Sequence, residues 1–419
     1  MIKSLFEGVT GLNANALAMG VIGDNIANVK TVGFKAGTLS FAELLGQTLP
    51  SGSQGNGVAV WDTGHSWRQG SSAETGNAMD LAIDGEGFFV VQDDDGTPSY
   101  TRAGNFQIND AGNLVNPDGL KVLGRKVVDA SAGLFGSMEA ILVPSGNAPA
   151  AATDEISMQL NLDPDAGPDT SFRNALTVYD ALGTTTTLDF LFSPVDGAGK
   201  EGAAAEWRWE VSVDPSVTDT PVMSSGLLSF DAEGRLDPEA CIPAGGVPTI
   251  TVADLKSGAD PLRIEWRYLQ EGPAGPVSDG SITGRSGLSE IAGQSQNGYP
   301  EGELQRILAD EQGILSGVYS NGVTTPLCQI VLAEFASPQG LLDKGNNCFG
   351  QSAASGQPAM GAPAAGSMGR IVAGALEQSN VDLNAEFVDL ITTQRAFQAN
   401  SKVITTSDEL LAALTTLKG

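Results

Sequence analysis

Few residues in this sequence have a type and spacing that could carry out chemistry. There is one histidine, His65, set between Trp61 and Trp67. A lone histidine cannot build a histidine-rich metal site, and nothing around it has the form of a nucleophile elbow. A surface or loop histidine beside two tryptophans is the reading its neighbourhood favours. Gly85-Glu86-Gly87 has part of a dinucleotide-binding pattern. It lacks the third glycine and leads into a strand, Phe88-Phe89-Val90-Val91, so no helix N-terminus follows on which a phosphate could rest. Asp93-Asp94-Asp95-Gly96 has the acidity of a calcium loop without its alternating ligands or distal glutamate. A solvated hairpin turn suits it better. Cys241, Cys328 and Cys348 are odd in number and none is at CxxC spacing. They read as buried small hydrophobes, not as a disulfide framework or a zinc site. The 50 carboxylates offer so many pairs that none stands out as an acid–base couple. No catalytic residue, metal or cofactor is expected, and the chain does not read as an enzyme.

The elements that would position any site are mainly β. The chain has 419 residues, which predicts two to four domains. Its 53 glycines and 6% aromatic content suit a turn-rich β protein. Trp207, Trp209, Val211 and Val213 alternate with polar residues, as do Leu262, Ile264, Trp266 and Tyr268. Both runs have the period of half-buried strands. Asp84-Gly85, Asp95-Gly96, Asp118-Gly119 and Glu233-Gly234 mark turns.

The two ends are helical. At heptad spacing Ile2, Val9 and Ala16 fall in one set, and Leu5, Leu12, Met19 and Ile26 in another, a narrow seam of coiled-coil type. Gly8, Gly11, Gly20 and Gly23 cost that helix up to about 1 kcal/mol each relative to alanine. Near the other end Leu383, Phe387, Leu390, Phe397, Ile404 and Leu411 share a seam with four-three spacing, interrupted by Gln394, Ser401 and Asp408. Each seam needs a partner, and the nearest candidate for each is the other.

The expected fold class is therefore α+β and multidomain: nested, mainly β domains flanked by N- and C-terminal helices that pair as a coiled coil. The expected boundaries are 1–30 and 376–419 for the helical domain, and 31–72 and 345–375 for an extended linker or arm. An inner β domain is expected over 73–145 and 290–344, and an inserted outer β domain over 146–289. Gly345–Gly369 has no charged residue and the composition of a flexible linker or extended arm.

The net charge is −28. The first 35 residues carry three lysines against two carboxylates, and the last 44 carry three cations against six carboxylates, so the acidity belongs to the middle of the chain. Such a surface should repel nucleic acid and anionic membranes. No stretch reads as reaching membrane-spanning length, and the N-terminus lacks an unbroken apolar signal region. Export, if it occurs, is expected without a cleaved signal peptide and without membrane insertion.

The most informative segment is Asp24-Asn25-Ile26-Ala27-Asn28-Val29-Lys30-Thr31-Val32-Gly33-Phe34-Lys35. Asn28 suits the end of a helix, Gly33 a bend, and Phe34 an anchor on an apolar surface. The segment resembles the "NIAN…T.GFK" signature of flagellar rod, hook and hook-associated proteins. Glu377-Gln378-Ser379-Asn380-Val381-Asp382-Leu383 resembles that family's "LE.SNVD". Gln394-Arg395-Ala396-Phe397-Gln398-Ala399-Asn400 resembles its "QRAYQAN", with Phe for the usual Tyr. Leu81–Phe89 and Tyr100–Phe106 are similar to segments of its shared β domain. Residues 1–145 and 290–419 carry the resemblance. Within the family, Gln296–Leu304, Tyr319-Ser320-Asn321-Gly322 and Asn161-Leu162-Asp163 resemble hook members, and the extra stretch 146–289 separates the chain from the shorter rod members.

The resemblance implies a structural subunit of the flagellar hook that polymerises into a flexible, curved tube, a universal joint passing motor torque to the filament. A distal rod or hook-associated axial protein is the alternative. It implies terminal helices that are disordered in the free monomer and become ordered on assembly. It also implies, as partners, further copies of the chain, the distal rod protein, the hook cap protein, the hook–filament junction protein and the flagellar type III export apparatus. The location implied is extracellular, in the hook.

Overall fold

The computed structural model describes residues 2–49, 52–129, 134–144, 146–195, 205–218, 222–243, 247–253, 255–272 and 275–417. The chain divides into two compact units. The first comprises Met1–Ser145, Arg306–Val318 and Thr324–Gly419, and the second comprises Gly146–Gln305 and Tyr319–Val323.

The first unit begins with α1 (Ile2–Ala27) and ends with α2 (Leu383–Leu417). Asn28 stops α1. Its backbone N–H and its side-chain amide both donate to Asp24 O, and its Oδ1 accepts from Thr31 Oγ1. Asp382 starts α2, its Oδ1 accepting from the backbone N–H groups of Asn384 and Ala385, as an N-cap does. By length and composition alone α1 could cross a membrane, which corrects the expectation that no stretch reaches that length. Here α1 instead packs on α2 and on a two-stranded arm formed by β1 (Gly37–Leu49) and β2 (Gly52–His65).

Most strands of this unit's β body join one branched sheet, while Leu81–Asp84 with Arg370–Ala373 and Ser72–Glu74 with Ala375–Glu377 form two separate pairs. The centre of the branched sheet is Phe88–Gln92, where Phe88, Phe89, Val90 and Val91 are all buried. Four consecutive buried apolar residues need cover on both faces, so the strand is central. It pairs with Pro98–Thr101 across the Asp93–Gly96 turn, with Lys121–Asp129, and with Leu332–Glu334. Gly345–Gly369 departs from its linker composition. Cys348–Gly350 pairs with Pro98–Thr101, and Ala359–Gly361 pairs with Leu332–Glu334, so the segment is tied into the sheet, with glycine where neighbours come close. Gly361, for example, has Met368 Sδ 2.7 Å from where a Cβ would stand.

The second unit is a sandwich. Phe172–Tyr179, Thr185–Pro194, Ala205–Val213 and Val222–Phe230 form an antiparallel sheet in chain order. Thr249–Val252, Leu262–Trp266, Glu155–Asn161, Ile282–Thr283 and Glu290–Gln296 form another. Trp207, Trp209, Val211 and Val213 of the first sheet share one core with Ile156, Met158, Ile264 and Trp266 of the second. Trp209 and Trp266 meet edge to face with centroids 5.4 Å apart. The strand Glu290–Gln296 pairs with Glu155–Asn161, which carries the compact unit past residue 289.

All three cysteines are buried and free. Burial pushes the Cys328 thiol up to about 12, the Cys348 thiol up to about 11, and Cys241 upward as well. At pH 8 none should react with a thiol reagent in the folded chain, whereas all three should react in denaturant. The sign of the stability effect follows. Above the ordinary thiol value of 9.0 the unfolded chain loses protons that the folded chain keeps, so stability falls as pH rises from there. Rapid reaction of any thiol in the folded protein would contradict this burial.

Candidate functional site

The motifs that stand far apart in sequence meet at one buried junction in the first unit. Gly33 makes the bend, with φ +68° and Ala103 N only 2.6 Å from the place of a Cβ. No residue with a side chain fits there. Its N–H donates to Glu377 O at 2.8 Å. Phe34 is buried just beyond the bend. Lys35 then enters the interior, where its side chain is 1% exposed. Its Nζ donates to Glu377 Oε1 at 2.6 Å and to Arg68 O at 3.0 Å. The other carboxylate oxygen of Glu377 lies 3.5 Å from Arg102 Nη1.

Arg102 comes from the segment Tyr100–Phe106 and is the member that motif reasoning passed over. The available signal was its place in Tyr100–Phe106, a segment read for its family likeness and not for its charge. Its Nη1 donates to Gly85 O at 3.0 Å, and its guanidinium lies 5.3 Å from the Phe88 ring centroid. Two buried cations thus share the Glu377 carboxylate. Burial pulls the Lys35 ammonium below its usual range, and the pairing with Glu377 only partly offsets that. Arg102 is lowered for the same first cause. A carboxylate in this position is worth most to stability as the partner of charges already removed from water.

Asn25 and Asn380 stitch the rest together. Asn25 is buried; its Nδ2 donates to Gly37 O and to Glu386 Oε1, both at 3.0 Å, and its Oδ1 accepts from Gly37 N at 2.7 Å. It therefore joins α1, the arm and α2 at one point. Burial pushes the Glu386 carboxyl upward, and the Asn25 hydrogen bond opposes that. Asn380 accepts from Ala36 N at 2.8 Å and donates to Ser66 O and Arg68 O. Of the other motif residues, Ser379 Oγ accepts from Val381 N at 3.4 Å, Ala27 ends α1, and Gln394 and Arg395 stand exposed on α2.

The two helices run antiparallel at constant register. Ser4 Oγ lies 3.3 Å from Ser407 Oγ, and Asn25 bonds Glu386 at the other end. Between them, Gly8 faces Ile404 and Gly11 faces Asn400. A Cβ on Gly11 would come within 2.7 Å of Asn400 Nδ2, and one on Gly8 within 3.0 Å of Ile404 Cγ1. The glycines are thus the condition for close approach, not only a cost to the helix. Gly20 and Gly23 differ, with nothing within 4 Å of a Cβ.

On α2 the covered positions are Glu386, Leu390, Thr393, Ala396, Phe397, Asn400, Ile404, Ser407 and Leu411; apart from Ala396 they are spaced alternately by four and three. The structure thus brings Leu390, Phe397, Ile404 and Leu411 onto the face toward α1, together with polar and small residues. Leu383 and Phe387 lie outside it, 36% and 49% exposed. On α1, Leu5, Leu12, Met19 and Ile26 are half-buried and Val9 is exposed, while the side chain of Ile2 lies outside the described residues. Phe6, Leu17, Val388, Ile391, Val403 and Leu410 are exposed as well. The helix pair therefore closes on a mixture of small, polar and apolar residues and leaves many of its large apolar ones outside.

Among the described residues, no group of three His, Cys, Asp or Glu is placed to hold a metal ion. His65 Nδ1 lies 3.1 Å from Lys35 O, and the ring packs on Trp67 and Phe349. A carbonyl can only accept, so Nδ1 carries the proton there.

A β-rich body that gathers both chain ends into one buried junction, and from it projects a helix pair with an exposed apolar face, defines a building element of an assembly. Four family descriptions match successive parts of the chain. They are "Flagella basal body rod protein" over residues 7–35, "Flagellar hook protein FlgE/F/G D1 domain" over 82–159, "Flagellar basal body protein FlaE D2 domain" over 145–299, and "Flagellar basal body rod FlgEFG protein C-terminal" over 372–417. The flagellar hook protein FlgE of Salmonella typhimurium is 33% identical over 99% of this chain and 100% of its own length. That of Treponema pallidum is 32% identical, with both chains fully covered. The crystal structure of Helicobacter pylori flagellar hook protein FlgE2 aligns with a TM-score of 0.53 over 73% of this chain and all of that one. At 14% identity that likeness is one of fold. The chain belongs to the flagellar hook protein family.

Proposed function

We propose that this chain is a structural subunit of the bacterial flagellar hook that polymerises through its helical ends into a flexible, curved tube, and that the tube passes motor torque to the filament as a universal joint. The observation that carries the reading is that the helix pair covers only part of its large apolar side chains. Glycine, serine and asparagine share its inner face with Leu390, Phe397, Ile404 and Leu411, while Phe6, Leu17, Phe387, Val388 and Ile391 are exposed. Each such side chain gains about 1.5–3 kcal/mol when fully covered. A single chain forgoes that gain, and neighbouring copies recover it. Contacts of this head-to-tail kind need not close a ring, and then they build a helix.

The twelve expected pairing residues, from Ile2 to Leu411, serve in this reading either the intramolecular pair or its neighbours. The buried junction gives the ends a fixed anchor on the β body, which a joint under torque requires. No reaction is assigned to the chain, and its role is mechanical. We further assign it, as partners, the distal rod protein, the hook cap protein, the hook–filament junction protein and the flagellar type III export apparatus. It is placed outside the cell, exported without a cleaved signal peptide.

Deletion of residues 1–30 is the test. The truncated chain should keep its second unit folded, with unchanged near-ultraviolet circular dichroism from Trp207, Trp209 and Trp266, and should form no tubes by electron microscopy. Tubes built by the truncated chain would contradict the reading.

A further inference from the structure

The arm carries a feature that neither the junction nor the helix pair uses. β1 and β2 pair with each other and, among the described residues, with no third strand. Their register runs Ser40 to Asp62 and then Phe41 to Val60, so Trp61 is the extra residue of a β-bulge. A bulge re-aims the side chain it carries. Trp61 is 79% exposed, and Phe41, opposite the bulge, is 49% exposed. Every other tryptophan has cover. Trp207, Trp209 and Trp266 are fully buried, and Trp67 is wedged against Phe88 and Phe349.

We infer that Trp61, with Phe41 beside it, is an anchor through which the arm docks on a second copy of this chain. Tryptophan is the residue type most often found at the energetic centre of an interface, and each of these rings covers about 150–250 Å² when buried. The choice of occupant comes from where the arm lies. Val58 N donates to Thr10 Oγ1 at 3.4 Å, and Gly37 sits against Val21 and Asn25, so the arm runs along α1. Its exposed aromatics therefore belong to the same body as Phe6, Val9 and Leu17, the exposed apolar residues of α1. A copy that covers the helix face has the arm within the same contact. The inference rests on the self-assembly reading above and adds to it a named anchor outside the helices.

Trp61 is the one strongly exposed tryptophan, which makes the test specific. Acrylamide quenching of tryptophan fluorescence is measured on the full chain, free and polymerised, for the wild type and Trp61→Phe. The difference between the two proteins isolates Trp61. Its quenching constant is expected to fall at least about fivefold on polymerisation. Trp61→Ala is expected to raise the concentration needed for polymerisation about tenfold, as an anchor loss of that size implies, with the melting of both units unchanged. Tubes in which Trp61 is quenched as readily as in the free chain, or Trp61→Ala chains that assemble like the wild type, overturn the docking and leave helix-driven assembly standing. A wild-type chain that never polymerises overturns the assembly reading and the docking with it.

Discussion

Glu377→Ala should cost the first unit about 3–5 kcal/mol, the range for stranding a buried charge. The carboxylate is 1% exposed and stands between two cations, Lys35 at 2.6 Å and Arg102 at 3.5 Å. It also accepts the Gly70 N–H at 2.8 Å. Without it Lys35 keeps only the Arg68 carbonyl, and Arg102 keeps the Gly85 carbonyl and the Phe88 face. Neither neutralises a charge, and the Glu86 carboxylate acts on Arg102 more weakly than Glu377 does. Lys35→Met should cost less, because it leaves Arg102 and Glu377 to pair and places an apolar stem where the lysine stem lay. Denaturant melts followed through Trp67, which packs in the first unit, measure both effects. A loss below about 1 kcal/mol for Glu377→Ala would show that the triad contributes little.

The second large effect is expected at the helix contact. Gly8→Leu combined with Gly11→Leu puts side chains into Ile404 and Asn400, where even a Cβ stands within 3.0 Å and 2.7 Å. Overpacking of this kind costs about 1–3 kcal/mol per site. If assembly needs the closed pair, the concentration required for polymerisation should rise at least about thirtyfold, at 1.4 kcal/mol per tenfold. Gly20→Ala and Gly23→Ala are the controls. Nothing lies within 4 Å of either Cβ, so each should add up to about 1 kcal/mol to helix stability in the free chain, read as helical circular dichroism. Polymerisation unchanged by the double leucine variant would sink the proposed role of the inner face.

Much of the fold was legible because it rests on period and punctuation. Alternation around Trp207 and Trp266 gave strands whose large residues are buried, and Asn28 marked the end of α1 by its capping chemistry. The rest depends on contacts between distant segments. Heptad counting sought a seam of large apolar residues and so placed Leu383 and Phe387 on it. The observed inner face turns aside to Glu386, Thr393, Asn400 and Ser407, because glycines on α1 allow small and polar groups to approach closely. Composition suggested a linker at Gly345–Gly369, yet Cys348–Gly350 and Ala359–Gly361 pair with strands far away in sequence, which composition does not encode. The junction was half visible: Lys35, Arg102 and Glu377 stood in recognisable motifs, but only folding brings them together.

The measurement that bears most directly on the central claim is electron cryo-microscopy of the polymer grown from the purified full chain. A hollow tube is predicted, with α1 and α2 of neighbouring copies packed together and Phe6, Leu17, Phe387, Val388 and Ile391 covered in those contacts. A tube held together only by its β units, with the helical ends unpacked and those side chains in solvent, would contradict the account.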